Sequence, residues 1–275
     1  MTERVDLYHS TYGDFTTRVL DAVRKETFGI DIGQNSWVTA EEYDRLLPCL
    51  HLSTGEHALE IASGSGGPAR YLARMTGCRV TGIDANESGV ATAREMAKEA
   101  GGAEEAGEVE FRVADATAPL PFEDNSFDGL LCFDSMNHFP NRLAVFKEWC
   151  RVLRPGRRAM FTDPVVITGP VTNDELAGRS SIGLFLFVPP GVNERLIEEA
   201  GFHLLRQEDV TDNAALVAGR WQRARAAHRD DLVEIEGEER FQDLQKFFAA
   251  VHQLTSERRL SRFVYLVEKR GGEAG

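Results

Sequence analysis

A short apolar run ends in a carboxylate, Glu60. Ala62, Ser63, Gly64, Ser65, Gly66 and Gly67 come next, and then Pro68. Side chains this small let the backbone turn sharply and approach a ligand within van der Waals contact. Proline suits the first turn of a helix, whose unpaired N–H groups point at the same place. Such a loop holds a nucleotide-like cofactor. Two more carboxylates close later apolar runs, Asp84 after Ile83 and Asp115 after Val113 and Ala114. Carboxylates accept from hydroxyl, amine and ammonium groups. Phe133, Asp134, Ser135, Met136, Asn137 and His138 follow another apolar run. His138 titrates near neutrality and is the candidate general base. Asp134 is the candidate for orienting it or for binding a substrate cation.

The elements that must position these residues alternate from residue 57 onward. Strand-like runs fall at 57–62, 78–83, 108–114, 127–133 and 158–163, and helical runs at 67–75, 88–100 and 140–153. This alternation predicts an α/β fold, a parallel sheet with helices on both faces. Right-handed crossovers then align the loops after the strands along one edge, where ligands bind. Residues 1–50 read as a helical cap: Phe15, Val19, Leu20 and Val23 recur at helical spacing, and Thr39 with Glu42 forms a capping box for a helix ending at Pro48. Residues 51–275 read as the main domain. Within it, 164–190 is rich in glycine and proline around Phe185 and Phe187, which predicts an irregular lid or substrate insertion. A helix over 192–200 ends at Gly201. A strand over 202–211, a long helical stretch over 213–255 and a strand over 263–267 close the chain.

With 42% apolar and 27% charged residues, the 275-residue chain reads as globular, either one large domain or a domain with a small elaboration. Asp and Glu outnumber Lys and Arg by 44 to 31, a formal charge of −13, which argues against nucleic-acid or anionic-membrane partners. No apolar run approaches the roughly 18 residues of a membrane span, and the N-terminus lacks a signal-peptide core. Cys49, Cys78, Cys132 and Cys150 show neither a C-x-x-C pair nor zinc spacing. Free thiols in a reducing cytoplasm, no bound metal, and a monomer or homodimer acting on a small molecule are the expectation.

Taken alone, Gly64-x-Gly66-x-x-Ala69 with Asp84 downstream also fits a dinucleotide fingerprint, which leaves an NAD-dependent oxidoreductase open. Glu60, four residues before Gly64, resembles the acidic-x-Gly-x-Gly-x-Gly signature of class I S-adenosylmethionine-dependent methyltransferases. Val80-Thr81-Gly82-Ile83-Asp84, Val113-Ala114-Asp115-Ala116, the stretch 120–128 and Arg151-Val152-Leu153-Arg154-Pro155-Gly156 resemble that family's further motifs in order. The resemblance spans about residues 55–165, closest to small-molecule enzymes of the sarcosine/dimethylglycine, phosphoethanolamine and quinone-biosynthesis types. Two positions depart from it. Ala62 stands at the usual first glycine and fits if its φ is negative, and Arg157 replaces the second glycine of a Pro-Gly-Gly turn.

The resemblance implies a Rossmann-like, seven-stranded, mostly parallel sheet and S-adenosylmethionine as cofactor. It implies in-line methyl transfer to nitrogen or oxygen of a small-molecule acceptor. Glu60 would take the cofactor's amino group and Asp84, with Ala85, the ribose. Asp115 would accept from the adenine amine and Ala116 would offer its N–H. Ala62, Ser63, Gly64 and Gly66 would form the cradle. Ser36 and Trp37 would fold over the methionine part, and Phe133 and His138 would face the methyl group. The acceptor pocket would draw on Trp37, Met136, Asn137, Phe185 and Phe187. An anionic pyrophosphate is disfavoured beside Glu60, whereas a zwitterionic amino acid on a sulfonium is not. A protein of the same fold that binds the cofactor without transferring methyl would carry the same loop. Asp163 ends the fifth strand without a cluster of metal-ligating partners.

Overall fold

The computed structural model describes residues 15–100 and 107–271. Its strands are β1 (His57–Ile61), β2 (Arg79–Asp84), β3 (Val109–Val113), β4 (Phe127–Cys132), β5 (Leu153–Ile167), β6 (Phe202–Asp209) and β7 (Leu260–Lys269). Among the described residues they form one seven-stranded sheet in the order β3-β2-β1-β4-β5-β7-β6. The first five strands are parallel, and β7 runs antiparallel to both β5 and β6. All six residues of β4 are buried, as expected of a strand covered on both faces. Neighbours along a strand feed opposite cores. Leu131 packs with Val80 and Tyr43 on one face, and Leu130 packs with Trp149 and Phe161 on the other.

Three helices return the chain through the parallel half: α3 (Gly67–Thr76), α4 (Glu87–Ala100) and α5 (Arg142–Val152). They are numbered after α1 (Arg18–Phe28) and α2 (Ala40–Leu46). The strand order reverses between β1 and β4, so the carboxyl ends of β1, β2 and β4 open onto one crevice, the usual ligand position in such sheets.

Several elements differ from the sequence expectation. The helical reading of residues 1–50 falls in part on residues 1–14, which lie outside the described residues. Phe15 precedes α1 instead of joining it, buried beneath the Arg24 guanidinium at 4.0 Å. Thr39 caps α2 by accepting from Glu42 N at 3.3 Å. The Glu42 carboxylate does not cap in return, because buried cationic and amide partners engage it instead. The strand expected over 158–163 is longer: α5 ends at Val152 and β5 begins at once, with a register irregularity opposite Phe127 and Gly129. Residues 164–190 are not irregular throughout. β5 runs on to Ile167, Val166 bridges Val188, and a full Thr172–Glu175 capping box starts α6 (Asn173–Arg179). After α7 (Val192–Glu199), the stretch read as one long helix is three: α8 (Thr211–Ala227), α9 (Arg229–Glu236) and α10 (Glu238–Ser256). Gly237, at φ +81°, separates the last two.

Candidate active site

The crevice at the strand reversal holds a cavity of about 510 Å³. Its floor is the loop after β1. Ser63 N donates to Ile83 O at 2.9 Å and Gly64 N donates to Asp84 Oδ2 at 2.8 Å, which pins the loop to the end of β2. Gly67 is required by a second constraint. A Cβ there would stand 2.2 Å from Ile32 O, so only glycine lets segment 31–38 cross the start of α3. Ser65 Oγ fastens the crossing by donating to Gly33 O at 3.1 Å.

Ala62 has φ +58°. The condition under which alanine would fit without strain therefore fails, and the site carries a left-handed alanine at its centre. Ala62→Gly is expected to stabilise the fold by roughly 0.5–1 kcal/mol, the left-handed cost less glycine's extra unfolded-state freedom. Urea unfolding checks this, and a destabilised variant would refute it.

Of the residues assigned to the cofactor, Ser36, Glu60, Ala62, Ser63, Gly64, Asp84, Ala85, Asp115, Ala116, Phe133 and His138 line this cavity. Gly66 and Trp37 do not. Gly66 turns towards the core, where a Cβ would meet Phe111 at 2.4 Å. Trp37 packs against Trp221, Phe247 and Phe248 at centroid distances of 6.0–6.3 Å. Asn35, next to Ser36 and given no role in the sequence reading, lines the cavity as well.

The cavity is acidic: Glu60, Asp84, Asp115 and Asp134 line it, and among the described residues no lysine or arginine does. Glu60 is 4% exposed, and its Oε2 has no hydrogen-bond partner. Burial, and then the nearby Asp84 carboxylate, push its pKa up to about 8 against the smaller opposing pull of Ala69 N–H and the Tyr43 hydroxyl. Burial also raises Asp84, opposed by the N–H groups of Asn86 and Gly64. Asp115 Oδ1 accepts from Thr117 N at 2.8 Å, which fixes the turn it sits on. A buried carboxylate with an unsatisfied oxygen, a second at the next strand end and a rim of small residues fit an adenosine carrying an ammonium and a sulfonium. They do not fit a pyrophosphate.

A second cavity, of about 110 Å³, adjoins the first and shares Asn35, Ser36, Asp134, His138 and Ile182 with it. Trp37, Phe185, Trp221, Phe247 and Phe248 form its aromatic wall, with Arg179 among them. Three residues assigned to this pocket lie elsewhere. Met136 opens the turn Met136–His138 on its core side and is 0% exposed. Asn137 is equally buried and reaches the site only through His138. Phe187 lines neither cavity, because Ile167 N, donating to Val188 O at 2.8 Å, draws that part of the chain onto β5.

His138 stands where the cavities meet. Its Nδ1 donates to Leu184 O at 2.8 Å, so in the neutral ring Nε2 is the acceptor, 3.1 Å from Asn137 Nδ2. Burial lowers its pKa, the Leu184 carbonyl opposes that, and Arg179 lowers it further. Asp134 does not orient it. Asp134 Oδ1 accepts from Thr162 Oγ1 and Arg262 Nε, both at 2.7 Å, and Oδ2 accepts from Trp37 N at 2.8 Å. Its backbone is left-handed, with φ +53°. Asp163 likewise is engaged elsewhere. It is buried against Arg142 and Asn193, and among the described residues no cluster of three or more His, Cys, Asp or Glu is placed to hold a metal.

A switch-point cavity floored by a small-residue loop and rimmed by acids on β1 and β2, in a sheet of this strand order, defines a Rossmann-like methyltransferase fold. Residues 59–161 match the family described as a methyltransferase domain. The chain belongs to the class I S-adenosylmethionine-dependent methyltransferases. It is 34% identical over 181 residues to the methyltransferase GfsG of Streptomyces halstedii, covering 64% of this chain and 61% of that protein. It is 29% identical over 209 residues to a glycine/sarcosine/dimethylglycine N-methyltransferase of Actinopolyspora halophila, covering 75% of this chain and 36% of that one. In structure it resembles a phosphoethanolamine N-methyltransferase of Haemonchus contortus bound to phosphomonomethylethanolamine and S-adenosylhomocysteine. The TM-score is 0.78 at 20% identity, over 96% of this chain and 60% of that one. The chain spans about three-fifths of the length of the first curated relatives it matches.

Proposed function

We propose that this protein transfers a methyl group from S-adenosylmethionine to nitrogen or oxygen of a small acceptor held in the second cavity. The observation that carries this reading is the meeting of an acidic cavity and an aromatic one at Asn35, Ser36 and His138. When bound, S-adenosylmethionine supplies a methyl group already activated by its sulfonium. Glu60 would hold the amino group, Asp84 the ribose, and Asp115 and Ala116 the adenine. The chain's own work is then to align the acceptor and exclude water, an effect on the order of 7–11 kcal/mol in well-oriented reactions. Ile182, Gly183 and Leu184 of the segment 164–190 line the cavity, as do Asn35 and Ser36, and both stretches would shield it from water. His138 Nε2 would take the acceptor's proton where the acceptor arrives protonated, giving up the hydrogen bond it accepts from Asn137 Nδ2 to free its one lone pair.

Calorimetry with S-adenosylhomocysteine tests the binding half of this proposal, and labelled-methyl transfer tests the chemistry. Absence of binding would refute the whole reading. His138→Gln is expected to lower kcat by about 10²–10⁴-fold, the usual scale for losing a general base. Its S-adenosylhomocysteine affinity should stay close to that of the parent. An unchanged kcat would remove His138 from the chemistry.

A further inference from the structure

Neutral His138 has one lone pair for a proton. It lies on Nε2, because Nδ1 donates to Leu184 O at 2.8 Å. Asn137 Nδ2 already donates to that nitrogen at 3.1 Å. Little else holds the amide that makes this bond. Asn137 is 0% exposed, its Oδ1 has no hydrogen-bond partner, and among the described residues Nδ2 meets only Nε2. Buried carbonyl oxygens normally find a donor, so this orphan calls for an explanation. The backbone on either side is fixed. Leu186 N donates to Asn137 O at 2.8 Å, and His138 N donates to Ser135 O at 3.0 Å. Turning the amide over therefore breaks a single hydrogen bond, and the last torsion of asparagine is soft.

Building on the proposed function, we infer that Asn137 is a positioning residue for the proton transfer: its amide turns over as His138 is protonated, presenting Oδ1 to Nε2 in place of Nδ2. In the resting site Nδ2 holds the neutral ring with its lone pair on Nε2. In the reaction the proton leaves the acceptor for Nε2. The acceptor's bond to methyl forms as the carbon–sulfur bond breaks, and that bond's electron pair stays on sulfur. The positive charge of the sulfonium thus becomes the charge of the imidazolium. Burial and Arg179 both oppose that charge. Asp134, which lines the same two cavities, is bonded to Thr162, Arg262 and Trp37. A fixed amide would oppose the charge as well, setting Nδ2–H against Nε2–H. Turned over, it gives the imidazolium an acceptor for each N–H, Leu184 O and Asn137 Oδ1. A hydrogen bond from a charged donor is also the stronger of the two the amide can make. Loss of the proton to solvent returns the amide and the ring to their starting state.

Ring protons report this without cofactor or acceptor. Heteronuclear NMR of the ligand-free protein, labelled at histidine and titrated downwards from neutral pH, is expected to show both N–H protons of protonated His138 protected from exchange with water. Asn137→Leu should keep the Nδ1–H and expose the Nε2–H to fast exchange. The midpoint of the His138 titration should fall in that variant by about one pH unit, the difference between a charged and a neutral hydrogen bond. A fixed amide predicts the opposite sign, because it favours the neutral ring. The inference is overturned if the midpoint rises or stays where it was, or if Nε2–H exchanges freely in the parent while Nδ1–H is protected. It is equally overturned if His138 takes up no proton before the protein unfolds. Should Asn137→Leu not fold, the two ring protons of the parent decide the matter. Calorimetry of S-adenosylhomocysteine on the same samples separates this outcome from failure of the proposed function, which would abolish that binding and leave the histidine titration readable.

Discussion

Replacing Arg262 by methionine is expected to cost about 3–5 kcal/mol of folding stability, the scale for breaking a buried ion pair from one side. Arg262 is 0% exposed. Its Nε donates to Asp134 Oδ1 at 2.7 Å, and its Nη1 donates to both oxygens of Glu42 at 2.8 Å. Methionine fills much of the space but leaves Glu42 and Asp134 as buried negative charges without their cation. Burial already raises the Glu42 pKa, and Arg262 is the main force holding it down. A carboxyl whose folded pKa lies above its unfolded value supplies stability at low pH and loses it as pH rises. In the variant that rise grows, so the loss should be larger at pH 7.5 than at pH 5. Urea unfolding at the two pH values measures it, and an equal loss at both would refute the electrostatic account. Arg262→Lys should fall between, keeping the charge but not the fork. The site should suffer too, because Asp134 also holds Trp37 N and Asn213 Nδ2 bridges Glu42 to Trp37 O.

This network marks where the chain was legible and where it was not. The cofactor side depends on local features, acids at strand ends and a run of small residues at fixed spacing. Glu60, Asp84 and Asp115 accordingly line the cavity expected for them. The acceptor side depends on contacts that no spacing encodes. Glu42 and Arg262 are 220 residues apart, and Trp37 and Asp134 are 97 apart. Phe247 and Phe248 sit on a helix whose apolar pattern reads as ordinary packing until α8 brings Trp221 against Phe248 at 4.8 Å. Asp134 reads in the sequence as a residue that orients His138 or binds a substrate cation, and its carboxylate instead meets Thr162, Arg262 and Trp37. The negative φ expected of Ala62 failed because a backbone angle is not written in the residue type, although Ala62 itself lines the cavity as expected.

Cofactor binding is expected to release a proton through Glu60. With a pKa of about 8 the carboxyl is largely protonated at pH 6.5 in the ligand-free site. An ammonium can pair only with the carboxylate. Below pH 8 the affinity for S-adenosylhomocysteine should therefore rise with pH, approaching tenfold per unit. Above about pH 8 Glu60 is ionised and the gain levels off, and at higher pH still the ligand's own α-amino group loses its charge and the affinity should fall again. The profile thus climbs to about pH 8, levels off, and turns down only at higher pH. Calorimetry at pH 6.5 in buffers of different ionisation enthalpy should count close to one proton released. In Glu60→Gln the rising limb should disappear, and at pH 8 the affinity should drop by about 10–100-fold, the worth of one hydrogen bond to a charged group. Ligand-free stability runs the other way. The raised carboxyl supplies stability below its ordinary pKa near 4.5 and loses it progressively up to about 8. The parent should therefore weaken across that window while Glu60→Gln does not, and S-adenosylhomocysteine should offset the weakening in the parent alone. Identical pH profiles for parent and variant, in either measurement, would separate Glu60 from the ligand's ammonium and leave the acidity of this cavity without a role in holding it.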